Sequence, residues 1–110
     1  MGNNVKIVVF VPEAHADAVR NAMGDAGAGK IGNYSHSSFS TKGMGRFLPL
    51  EGAHPAIGAV GKHEEVKEER VEVVCPKTVA QKVIFAMKRV HPYEEVAYDI
   101  YPLLDENELL

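Results

Sequence analysis

Laid on itself at an offset of 64 residues, this 110-residue chain matches without a gap through a strand, a helix and the segment that follows. Pro12 falls on Pro76, Ala16 on Ala80, Val19 on Val83, Ala22 on Ala86, Met23 on Met87 and Tyr34 on Tyr98. Lys6 meets Arg70, while Ile7, Val9 and Val11 meet Val71, Val73 and Cys75. The repeated unit reads as β-α-β. Residues 5–11 are a β-branched run stopped by Pro12. Ala16, Val19, Ala22, Met23 and Ala26 recur at helical spacing, and Gly27 and Gly29 supply the left-handed stop. Residues 33–40 read as a second, more polar strand. Residues 41–61 hold Gly43, Gly45, Gly52, Gly58 and Gly61 with Pro49 and Pro55, the composition of a long loop or an excursion with short strands. In the second copy, residues 68–75 form strand three, 79–90 a second amphipathic helix and 91–103 strand four.

Doubling one β-α-β unit gives the split antiparallel arrangement called ferredoxin-like. The expected fold is therefore α+β, order βαββαβ, with a four-stranded antiparallel sheet and two helices on one face, in a single domain over residues 1–110. If Ile7, Val9, Val11, Val71 and Val73 face the helices, then Val8, Phe10, Val74 and Tyr101 or Tyr98 lie on the uncovered face beside Lys6, Arg70 and Glu72. A sheet face of mixed apolar and charged character is the mark of a subunit interface, so a homo-oligomer is expected.

Composition excludes several classes. A net charge of -3 and scattered Lys and Arg give no basic field for nucleic acid or an anionic membrane. The apolar run 5–11 contains Lys6 and is far too short to span a bilayer. One cysteine, Cys75, forms no internal disulfide and suits a reducing cytoplasm; the expected location is cytoplasmic.

The motifs favour binding over catalysis. Gly27 to Gly32 matches G-x-G-x-x-G, but it ends a helix and leads into a strand, so it presents the negative end of the dipole and reads as a C-cap. A weaker functional reading has Lys30 and the amides of this turn, with the long loop, contacting a small anionic ligand. Five histidines show no helical i, i+4 pairing. His91 follows helix two, where the dipole and Glu94 or Glu95 favour its protonated form; its plain role is a cap and salt-bridge partner, and the alternative is a ligand or intersubunit metal site with Tyr93 and Glu94. Glu68, Arg70 and Glu72 share one side of strand three as an ion-pair ladder or interface rim. No Ser elbow or activated Cys appears, so no enzyme is expected.

Five ordered motifs then carry a resemblance: Gly27-x-Gly29-x-Ile31-Gly32-Asn33-Tyr34; Gly43-x-Gly45-x-Phe47-x-Pro49-x-x-Gly52; Pro55-x-Ile57-Gly58-x-x-Gly61; Glu68-x-Arg70-x-Glu72; and His91-Pro92-Tyr93-Glu94-Glu95-x-x-Tyr98-Asp99. Together they resemble the inserted middle domain of the YqfO group, within the GTP cyclohydrolase I type 2-like, dinuclear-metal family. The resemblance implies a free-standing version of that insert, similar to PII and CutA proteins and trimeric. The family's metal ligands belong to flanking halves, so no dinuclear site and no hydrolase activity is carried over. The expectation is a non-enzymatic, regulatory PII-like module that binds a small ligand or a partner protein at subunit clefts, with no required cofactor. Its candidate ligand-binding residues are Gly29, Lys30, Gly32, Tyr34, Gly43, Gly45, His91, Tyr93 and Glu94. The alternative is a CutA-like divalent-metal binder with an intersubunit His and carboxylate site.

Overall fold

The computed structural model describes residues 3–110. β1 (Asn4–Pro12) leads through a 3-10 turn into α1 (Ala16–Asp25); β2 (Phe39–Phe47) and β3 (Glu64–Pro76) follow, then α2 (Lys77–Val90) and β4 (Tyr98–Pro102). The strands form one antiparallel sheet in the order β2-β3-β1-β4. This is the expected ferredoxin-like arrangement.

Alternation decides which face meets the helices. Ile7, Val9 and Val11 of β1 and Val71, Val73 and Cys75 of β3 are buried with Val19 and Met23 of α1 and Val83 and Met87 of α2. Each such side chain contributes about 1.5–3 kcal/mol on burial, so the repeated residues are the core. Tyr98 pairs with Val9 and packs against this core, with the Lys88 ammonium 4.8 Å from its ring centroid. Tyr101, opposite Lys6, is therefore the tyrosine on the open face. That face also carries Lys6 and Arg70, both bonded to Glu72 at 3.3 and 3.2 Å, and the Arg70 guanidinium over Phe10. The first of these bonds, to Lys6, leads in holding the Glu72 carboxyl below its ordinary range.

The glycines after α1 do end the helix. Gly27 sits at φ 118°, its N–H donates to Gly24 O, and the Ala28 N–H donates to Met23 O, which is the Schellman pattern.

The second strand differs from the sequence expectation. Residues 33–38 are a turn region closed by an Ile31–Tyr34 bridge, and β2 begins at Phe39. Tyr34 is thus exposed in a turn while Tyr98 opens a strand, so the repeat loses its structural register after the helix. Gly43 and Gly45 lie inside β2, not in a loop: strand pairing with β3 outweighs their low strand propensity. The irregular excursion is confined to residues 48–63.

β2 and the first residues of β3 run past the end of β1, because Pro12 pairs with Glu68 and the strands continue to the Phe47–Glu64 pair. The chain is elongated by this arm, measuring 50 × 28 × 23 Å with a radius of gyration of 15.4 Å, against about 13 Å for a compact chain of this length.

Candidate functional site

Where the arm leaves the sheet, the excursion folds back over a half-open cavity of about 600 Å³. Its walls come from five places: Phe10 of β1, Gly45 and Phe47 of β2, Glu68 of β3, residues such as Leu50 and Ile57 of the excursion, and Tyr93 and Glu94 after α2. Two backbone ties shape the excursion. The Gly61 N–H donates to Pro49 O at 2.9 Å, and the His54 N–H donates to the Glu94 carboxylate at 2.8 Å.

Glu68 is the centre of the site. It lies on the open face of β3, is only 8% exposed, and accepts a hydrogen bond on Oε2 from the Tyr93 hydroxyl at 3.0 Å. Its carboxylate lies over Gly45, where any side chain would collide with it: a Cβ there would fall within 2.9 Å of all three carboxylate atoms. A glycine diagonal to Glu68 on the neighbouring strand is what lets the carboxylate lie flat. No cation among the described residues pairs with Glu68. Burial, then the bond to Glu68, pushes the Tyr93 phenol far above its ordinary range, so Tyr93 keeps its proton and donates it.

His91 stands behind this pair. Its backbone N–H caps α2 at Met87 O, one ring nitrogen, Nε2, bonds to Phe10 O at 2.8 Å, and Nδ1 accepts from the Tyr93 N–H at 3.1 Å. This pattern requires the neutral ring with its proton on Nε2. The expected protonated form and salt bridge are corrected accordingly: the ring is buried among backbone groups, and burial lowers its pKa. Both nitrogens are already used, so a metal bound at either one would displace an internal hydrogen bond. Among the described residues no three His, Cys, Asp or Glu side chains converge on a point.

The remaining candidates divide. Gly45, Tyr93 and Glu94 line the cavity, and Gly43 lines a smaller adjoining depression with Thr41 and Arg70. Gly29, Lys30, Gly32 and Tyr34 do not join them. The Gly29 N–H donates to Val74 O, six residues along β3 from Glu68, which is about 20 Å away along a strand. The Gly29 amide is therefore consumed by the sheet and is not open to an anion. Sequence reasoning placed Glu68 in an ion-pair ladder and missed Phe10, Leu50 and Ile57; the available signal was a glutamate facing glycines on the next strand.

No family model matches the chain. The GTP cyclohydrolase 1 type 2 homolog of Bacillus subtilis is 57% identical over 98 residues, and that of Mycobacterium tuberculosis 52% over 99, covering 89% and 90% of this chain. In both cases the chain spans 26% of the relative, about a quarter of its length. A Bacillus cereus protein related to NIF3 superposes with a TM-score of 0.82 at 53% identity, over 94% of this chain and 26% of its own. At the level of fold alone, the B. subtilis GlnK–ATP complex (TM-score 0.63, 15% identity, 94% and 84% coverage) is similar. The divalent cation tolerance protein CutA of Archaeoglobus fulgidus is similar in the same sense (0.66, 16%, 94% and 90%). This chain is thus homologous to one segment of the NIF3-related GTP cyclohydrolase 1 type 2 homologs, and that segment has the ferredoxin-like fold of the PII and CutA proteins.

Proposed function

We propose that the chain is a non-enzymatic, cytoplasmic, homotrimeric module of PII and CutA type that binds a small ligand or a partner protein in the cavity at the base of the arm. The cavity itself carries the reading. Its volume lies in the range of small-molecule sites, and its wall is apolar apart from a few fixed polar groups, Glu68 above all. The chemistry of those groups supports binding over catalysis. Tyr93 holds its proton, His91 has both nitrogens engaged, and burial raises the Cys75 thiol, so each lacks the free, poised proton or lone pair that catalysis needs. Trimer formation is supported by the mixed open face and by the projecting arm, which reaches past its own sheet.

Light scattering at micromolar concentration should return about three times the 12.0 kDa chain mass. A fragment screen read by amide NMR should give compounds that shift Gly45, Leu50 and Tyr93 and lose binding in Ile57→Asp. A monomer mass overturns the trimer, and a screen without hits at these amides overturns the ligand site.

A further inference from the structure

We infer that the cavity selects ligands carrying an organic cation, such as a primary ammonium, on a flat apolar body. The inference rests on the proposed ligand site and names the chemistry that site accepts.

Glu68 is a carboxylate more than nine-tenths buried, and its two oxygens are unlike. Oε2 is held by the Tyr93 hydroxyl. Oε1 takes no hydrogen bond and no ion pair from any described residue, and it is not sealed away, since no fully buried side-chain oxygen is left unpartnered among them. Glu68 lies on the wall of both the main cavity and the adjoining depression, and its Oε1 lies over Gly45, which also lines both. A buried carboxylate with one fixed and one free oxygen is satisfied by a charge-assisted donor, and Tyr93 already sets its orientation.

The surroundings exclude the opposite charge. Glu94 and Glu95 add two carboxylates to the main cavity's lining, while its one cation among the described residues, Arg46, pairs with Glu65 outside the cavity at 3.4 Å; the cations Lys42 and Arg70 line only the adjoining depression, where Arg70 is held by Glu72. A phosphate or carboxylate ligand would meet this field unpaired. The rest of the wall, Phe47, Leu50, Pro55 and Ile57, is suited to an aromatic or aliphatic body.

The test uses three probes of one shape: 2-phenylethylammonium, neutral 2-phenylethanol and anionic phenylacetate, titrated against the full chain at pH 7.5 by amide NMR. The ammonium should bind about tenfold or more tightly than the alcohol, the scale of one charge-assisted bond, and the acid most weakly. Glu68→Gln, an isostere that keeps the Tyr93 contact, should remove the preference for the ammonium. If that variant is misfolded by its amide spectrum, Tyr93→Phe serves, and should reduce the preference by freeing the carboxylate. Equal affinities, or a preference for the alcohol or the acid, overturn the cation assignment and leave the ligand site standing. Failure of all three to move the cavity amides at 10-millimolar order overturns both.

Discussion

Gly45 and Glu68 allow a sharp test of how the site is held. An alanine at 45 puts its Cβ within 2.9 Å of Cδ, Oε1 and Oε2 of Glu68, so the carboxylate must swing away and lose the Tyr93 hydroxyl. A hydrogen bond to a charged group is worth about 1.5–3 kcal/mol. Alanine recovers about 0.5–1 kcal/mol over glycine within a strand, which leaves a net loss of about 1–2 kcal/mol. Gly43, two residues away on the same face, has nothing within 4 Å of its would-be Cβ, so Gly43→Ala should be neutral or slightly stabilising. Urea unfolding at fixed protein concentration measures both. The mechanism is isolated by a cycle with Tyr93→Phe, which removes the same bond: in that background Gly45→Ala should lose most of its cost, with a coupling of about 1–2 kcal/mol. Additivity within about 0.3 kcal/mol would refute the reasoning, as would equal effects at 43 and 45.

Three further outcomes are expected. Burial lowers the folded pKa of His91 below its ordinary 6.5, so below about pH 6.5 the unfolded chain binds more protons and this contribution to stability is lost as pH falls. His91→Gln should therefore be less stable than the parent at pH 7.5 by about 1–3 kcal/mol, with the difference shrinking at pH 5.5; a pH-independent gap in urea midpoints would contradict this. Gly29→Ala places a Cβ 2.4 Å from the Ser37 backbone N and O at φ +82°, whereas Gly32 at φ +56° has open space. Thermal unfolding should show Gly32→Ala losing about 1–2 kcal/mol and Gly29→Ala clearly more. Cys75 is buried with a raised pKa, so a thiol reagent should label it only as fast as the chain unfolds, and rapid labelling of the native chain would disprove its burial.

The core was legible because it is periodic. Ile7, Val9, Val11 and their repeats at Val71, Val73 and Cys75 state one buried face twice, and the helices repeat it at Val19 and Val83. β2 was not legible, because its pairing is set by β3 while its own residues, with Gly43 and Gly45 among them, carry almost no strand preference. None of its residues is buried, so it has no apolar alternation to read. The site was half legible. Tyr93 and Glu94 stood out beside His91 as candidate ligand residues, but Glu68 acquires its meaning only from Tyr93, 25 residues away. His91 was located correctly and given the wrong charge state, since nothing local in sequence shows that Phe10 O waits beside its Nε2.

The arm beyond Glu68 has no helix above it, and its amides are held by one hairpin ladder alone. Such a segment opens by itself, at far lower free energy than the β1–β3 centre of the sheet. Amide hydrogens of residues 44–47 should then exchange through local opening while those of Ile7 and Val73 await global unfolding. Because one wall of the cavity is built on this weaker unit, an occupant stabilises the arm directly and the core hardly at all. Under the proposed ligand reading, occupancy would thereby become the stiffness of a projecting hairpin, a signal that a neighbouring molecule could feel without the sheet changing its structure.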